Sequence, residues 1–101
     1  MYDYLIVGSG IAGLFTAVLA AQHGRVAVVT KGTLAQTNTR WAQGGIAAAV
    51  ADNDSPGLHA SDTLVAGAGL CDPVAVDVLC AEGPERVRDL IRLGVGFETL
   101  R

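Results

Sequence analysis

Three glycines at fixed spacing, Gly8-x-Gly10-x-x-Gly13, directly follow the apolar run Tyr4 to Val7 and open an alanine-rich stretch. Each glycine has a mechanical task in that arrangement. The first turns the chain sharply out of a strand, the second lets backbone approach a pyrophosphate, and the third lets the next helix pack close to the sheet. The helix start then aims backbone N–H groups and the positive end of its dipole at the phosphates. An anion gains on the order of 1 kcal/mol there before any direct hydrogen bond. The chemistry implied is dinucleotide binding, with Gly8, Ser9, Gly10, Ile11, Ala12 and Gly13 as the candidate phosphate-loop residues.

Such sites usually carry an acid at the end of the second strand, where it holds the ribose hydroxyls. Here that place reads Val29-Thr30-Lys31. A cation in the acid's position argues against ordinary NAD binding. It leaves NADP, whose 2′-phosphate would favour Lys31, or FAD bound in a variant way. The next candidate residues are Asn38, Thr39, Arg40, Trp41, Ala42, Gln43, Gly44 and Gly45. Thr39 and Gln43 supply donors, and adjacent glycines let backbone lie flat against a planar ring and offer N–H groups to its edge.

The elements that must position these residues are legible. Asp3 to Val7 is an almost wholly apolar strand, as expected for a parallel strand covered on both faces. Ile11 to His23 has helical spacing at Leu14, Val18 and Ala21, with Gly24 as its stop. Arg25 to Thr30 is a second strand, completing one βαβ unit in about thirty residues. Lys31 to Arg40 is a polar loop, and Asp52 to Gly57 a surface turn. Ser55-Pro56 is expected to cap a helix to about Ala66, and Asp72-Pro73 another to about Glu82. Gly83-Pro84 is expected to start a third, ending at Gly94. The fold class is therefore α/β: the βαβ start of a Rossmann-like domain with a parallel sheet, followed by helices.

Composition bounds the rest. Of 101 residues, half are hydrophobic, and the mean hydropathy is +0.40. That is high for so short a chain and points to apolar surface intended for further polypeptide. Leu90 to Arg101 reads as a helix, its glycine stop and the opening of another extended segment. Residues 1–101 are thus expected to be an incomplete, N-terminal portion of a larger domain. No run has the length and flanks of a membrane span, and the N-terminus lacks a basic leader region, so a cytoplasmic protein is expected. Cys71 and Cys80 read as small apolar residues of a reducing compartment, and His23 and His59 have no second metal ligand nearby. Net charge is −3, yet no carboxylate lies between Asp3 and Asp52, the half where an anion would bind at least cost. No basic cluster suggests nucleic acid.

The chain closely resembles the succinate dehydrogenase/fumarate reductase flavoprotein family, and within it the aspartate-oxidase branch. The matching residues are Gly8-Ser-Gly-Ile-Ala-Gly13, Thr30-Lys31-Gly32 and Ala42-Gln-Gly-Gly-Ile-Ala-Ala-Ala49. Downstream they are Asp54-Ser55, His59, Asp62-Thr63, Ala66-Gly-Ala-Gly-Leu-Cys-Asp72, Glu85-Arg-Val and Leu90-Ile-Arg-Leu-Gly-Val. In that family a lysine after the second strand is normal, so the resemblance implies FAD. The respiratory members attach FAD through a histidine five residues before the glutamine of Ala-Gln-Gly-Gly. Counting back from Gln43 gives Asn38, which cannot form that bond, so non-covalent FAD is implied. The implied reaction is oxidation of L-aspartate to iminoaspartate, with oxygen or fumarate as acceptor, the first step of de novo NAD biosynthesis. Quinolinate synthase is the partner the resemblance suggests. The competing assignments are a flavoprotein subunit of a succinate- or fumarate-oxidising complex and a stand-alone FAD- or NADP-binding module.

No catalytic constellation can be assembled from these residues. Arg40 belongs to the flavin loop. Arg86, Arg88 and Arg92 share a helix with Glu82, Glu85 and Asp89 and read as a solvated face. His59 is expected to pack or hydrogen-bond locally. In the family the substrate histidines and arginines lie well beyond residue 101, so this chain alone is expected to be inactive.

Overall fold

The computed structural model describes residues 1–37 and 44–98. The chain divides into two compact units, Met1–Gly45 and Ile46–Arg101.

The first unit is built of strand β1 (Tyr4–Val7), helix α1 (Ile11–Ala20) and strand β2 (Val26–Val29). The strands pair in parallel, Tyr4 opposite Val26 through Val7 opposite Val29. Gly8 continues the ladder, its N–H donating to the Val29 carbonyl at 2.8 Å. Helix α1 packs on both strands. It covers the face that carries Ile6. Leu5 and Val7, pointing the other way along the pleat, stay 67% and 81% exposed. The apolar run anticipates cover on both faces, and this unit supplies it on one.

The expected helix end also shifts. Helix α1 stops at Ala20, with Ala21 as a right-handed cap and a turn through His23. Gly24 is not left-handed and does not act as the stop. Its role is room: a Cβ there would sit 2.7 Å from Asp3 Oδ2. That oxygen accepts from the Arg25 N–H at 2.8 Å, pinning the start of β1 to the start of β2.

The second unit holds helices α2 (Pro56–Gly67) and α3 (Pro73–Arg92), which pack on each other. Both N-termini follow the sequence expectation. Ser55 Oγ accepts from the Leu58 N–H at 3.1 Å, and Asp72 Oδ1 accepts from Val74 at 2.9 Å and Ala75 at 3.3 Å. A proline at the first helical position follows each cap. Helix α2 ends through Ala68 and Gly69, both left-handed. Helix α3 ends at the anticipated glycine. Gly94 (φ 102°) donates to Ile91 O, and Val95 donates back to Leu90 O, both at 3.0 Å, the paired bonds of a Schellman cap.

The expected break at Gly83-Pro84 is absent: one helix of 20 residues replaces two short ones. Two effects explain this. Gly83 has no Cβ, which removes part of the clash between a proline ring and its predecessor. Val76, Cys80, Pro84 and Val87 are all buried and recur at helical spacing, so they form one continuous stripe. An interior proline costs about 3 kcal/mol. Burying a stripe of apolar side chains, each worth about 1.5–3 kcal/mol for the larger ones, outweighs it. Cys80, 1% exposed, sits at the centre with Ala60 and Val76, and Cys71 packs against them. Both cysteines are free thiols.

Candidate functional site

The three glycines come together at the C-terminal ends of β1 and β2, where α1 begins. Gly8 is left-handed (φ 112°), a conformation other residues rarely adopt, and it turns the chain from β1 toward α1. Gly13 lies against that turn. A Cβ on Gly13 would overlap the Gly8 carbonyl oxygen, lie 3.0 Å from its carbon, and stand 3.5 Å from Ile6 Cγ2. Helix α1 can approach the strand this closely only with glycine here, as the spacing predicts.

Gly10 is the N-cap of α1, extended (φ −72°, ψ −178°) and without a side-chain cap. The first turn contains no acid. The helix start thus offers amides and positive partial charge with no carboxylate of its own to compete for them. Ile11, Ala12 and Gly13 form that first turn.

A cleft of about 540 Å³ opens in front of it. Gly8, Ser9, Gly10, Thr30 and Lys31 line it, as the sequence suggests. Val7, Val29, Gln36 and Thr37 line it as well, and these four were not singled out from sequence. Val7 and Val29 are the last residues of paired parallel strands, so register alone brings them to the mouth. Their signal was available: ligands of open α/β sheets sit at strand C-termini. Gln36 and Thr37 are brought in by a turn, with the Gln36 N–H donating to Thr33 O and Gln36 Oε1 accepting from the Thr33 N–H, both at 3.0 Å. No periodicity encodes that turn.

Lys31 is exposed, and among the described residues no carboxylate pairs with it. The cleft lining contains a cation, hydroxyls, an amide and backbone, and no acid. Its chemistry suits a phosphorylated ligand lying against the start of α1.

Ser9 is the one buried polar residue of the described chain, 4% exposed. Its hydroxyl donates to Leu34 O at 3.0 Å and lies 3.1 Å from Thr30 Oγ1. A serine has one hydroxyl proton, so both contacts are satisfied when Thr30 donates in return. Gly44 is left-handed (φ 68°), and neither it nor Gly45 is among the cleft-lining residues. Asn38, Thr39, Arg40, Trp41, Ala42 and Gln43 lie outside the described residues.

Among the described residues of the second unit, the arginines are engaged in ion pairs along one helix. Arg86 pairs with Asp89 (3.1 Å), Arg88 with Glu85 (2.5 Å) and Arg92 with Asp89 (2.5 Å), on side chains largely open to solvent. This is the solvated face anticipated from their spacing, each pair worth a few tenths of a kcal/mol. His59 is half-buried, and its Nδ1 is buried without a hydrogen-bond partner among the described residues. Among the described residues no helix is long and apolar enough to cross a membrane.

Comparison with known proteins agrees with this geometry. A family model described as FAD binding domain matches residues 3–100. The L-aspartate oxidase of Nostoc sp. is 52% identical over 97 residues, which is 96% of this chain and 17% of that protein. The L-aspartate oxidase of Streptomyces coelicolor is 54% identical over 95% of this chain and 17% of its own length. Among solved structures, the FrdA chain of Escherichia coli quinol fumarate reductase superposes with a TM-score of 0.86 at 33% identity, over 98% of this chain and 17% of its own. Mycobacterium smegmatis Sdh1 gives 0.86 at 36% identity, over 99% and 17%. The chain therefore spans about a sixth of the proteins it matches. Since the family match runs almost end to end and includes the glycine turn, the helix start and the cleft, this chain belongs to the FAD binding domain family.

Proposed function

We propose that this chain holds the pyrophosphate end of FAD in a flavoenzyme that oxidises L-aspartate to iminoaspartate, the first step of de novo NAD biosynthesis. In this reading residues 1–101 are the N-terminal portion of its FAD-binding domain, and the chain alone is inactive. The observation that carries the proposal is the start of α1, which faces an acid-free cleft with no side-chain cap and Lys31 at its wall. The residues fit the cofactor's phosphates. A Cβ on Gly8 would meet nothing within 4 Å, so the turn leaves open space for a ligand.

Bound FAD supplies an acceptor for the hydride leaving the substrate α-carbon, and oxygen or fumarate takes the electrons onward. The chain's own residues bind and orient. Gly8 and Gly10 keep side chains out of the phosphate path. Ile11 opens the helix turn, the amides of Ala12 and Gly13 face the phosphate oxygens, and Lys31 balances their charge. Asn38, Thr39, Arg40, Trp41, Ala42, Gln43, Gly44 and Gly45 contact the cofactor toward its ring. Asn38 stands where a covalent link would need histidine, so the cofactor is held non-covalently. Groups that bind the two substrate carboxylates and handle the amine proton lie outside these residues. A cytoplasmic setting, with quinolinate synthase as the consumer of iminoaspartate, is part of the same proposal.

The experiment is anaerobic reduction of the purified full-length protein. L-aspartate should bleach the flavin absorbance and succinate should not. Bleaching by succinate alone would favour the second reading, a succinate- or fumarate-handling flavoprotein, to which the two superposable structures lend support. Denaturation followed by mass spectrometry should release free FAD; flavin retained on the peptide would overturn non-covalent attachment. A full-length protein that neither contains nor takes up flavin would end the FAD proposal.

A further inference from the structure

The residues of the cleft come from three separate stretches: the glycine turn, the end of β2, and the 31–37 loop. The loop has no helix or strand to hold it, yet it carries Lys31, Gln36 and Thr37 into the cleft. Its internal bonds, between Thr33 and Gln36 and between Ala35 and Thr37, shape a turn but do not tie that turn to the first stretch. The buried Ser9 side chain does. Ser9 Oγ reaches Thr30 Oγ1 at 3.1 Å and Leu34 O at 3.0 Å, bridging separations of 21 and 25 residues.

We infer that Ser9 is a positioning residue, its hydroxyl latching the 31–37 loop to the glycine turn and so fixing Lys31 at the cleft wall. Ser9 is 4% exposed, and the one proton of its hydroxyl is taken up within this pair of contacts, so it has no donor left for a phosphate oxygen. This differs from treating Ser9 as a direct cofactor contact. The geometry also assigns Thr30 a part: its hydroxyl completes the pair, which explains a threonine after the all-apolar Val26–Val29. A methyl group in place of the Ser9 hydroxymethyl would leave the Leu34 carbonyl without this donor and loosen the loop's hold on the glycine turn.

Lys31 makes the loop's position measurable. It is the only lysine among the 101 residues, so a lysine-specific protease has one site in this stretch, the Lys31–Gly32 bond. In the full-length protein, nicking at that bond is followed by mass spectrometry of the two products. Losing a partly buried hydrogen bond of this type corresponds to a change of about fivefold to thirtyfold in the latch equilibrium. Ser9→Ala and Thr30→Val should each speed nicking at Lys31–Gly32 by that factor and weaken FAD binding in step. Thr30→Ser, which keeps the hydroxyl, should be nicked at the rate of the unaltered protein. The double variant Ser9→Ala/Thr30→Val should be little worse than Ser9→Ala alone, because both remove the same latch.

The FAD affinity readout rests on the proposed function; the nicking readout does not. A protein without flavin would sink that function and leave the cleavage rates to judge the latch. Unchanged nicking in both Ser9→Ala and Thr30→Val would overturn the inference even if FAD binds normally. So would equal acceleration in Thr30→Ser and Thr30→Val, since the hydroxyl would then be irrelevant. Should Ser9→Ala fail to fold, the Thr30 pair decides alone.

Discussion

Gly13→Ala tests the site most sharply, because two effects of opposite sign meet at one atom. Glycine in a helix interior costs about 1 kcal/mol relative to alanine, so propensity alone favours the substitution. The new methyl, however, would overlap the Gly8 carbonyl oxygen and stand 3.0 Å from its carbon. Both are backbone atoms of a turn held by the Gly8–Val29 hydrogen bond, so neither can rotate away as a flexible side chain would. Relief requires the start of α1 to retreat from β1. Overpacking of this kind costs about 1–3 kcal/mol, and a rigid backbone neighbour places it toward the upper end. The net expectation is destabilisation of about 1–2 kcal/mol with a weaker FAD complex, since the retreating amides are those proposed to face the phosphates. Gly57→Ala in α2 is the internal control. Its Cβ would meet nothing nearer than Ser55 Oγ at 3.9 Å, so the same change should stabilise by about 0.4–1 kcal/mol. Thermal unfolding and FAD titration of the two full-length variants give both numbers. Equal or higher stability with undiminished FAD affinity in Gly13→Ala would refute the close-approach argument.

Two further perturbations follow from particular contacts. Asp72→Ala removes the acceptor for Val74 and Ala75 at the start of α3 and should cost about 0.5–2 kcal/mol by thermal or denaturant unfolding, with FAD affinity unchanged. Lys31→Glu replaces the cleft's cation by an anion and should weaken FAD binding about tenfold or more at low salt, less at high salt, without lowering the melting temperature. An affinity that ignores both the substitution and ionic strength would make Lys31 a surface residue only.

Much of the fold is readable from local pattern. The β1–α1–β2 order and the caps at Ser55, Asp72 and Gly94 all follow from interactions within a few residues of chain, and such interactions survive in any context. The fold class and the turn geometry of Gly8 and Gly13 belong to the same group. Gly24 and Gly83-Pro84 mislead for the same reason. A glycine or proline signals a helix stop only while no distant partner intervenes. At Gly24 the partner is the Asp3 side chain, and at Pro84 it is the stripe of Val76, Cys80 and Val87 buried in the second unit. Local energy of about 3 kcal/mol loses there to burial that no short window contains.

The candidate site divides along the same line. Sequence by itself determined that a strand, a glycine turn and a helix start meet, that a cation, Lys31, follows the second strand, and that the chemistry is dinucleotide binding. These are properties of residue type and spacing. Tertiary structure alone decided what else reaches the cleft and which groups are already engaged. Parallel register carried Val7 and Val29 to its mouth, a hydrogen-bonded turn brought Gln36 and Thr37 beside them, and burial turned the Ser9 hydroxyl inward to Thr30 and Leu34. Each depends on atoms more than twenty residues apart, or on a turn without periodicity. A linear pattern encodes the donors a chain possesses; only packing determines which of them remain for a ligand.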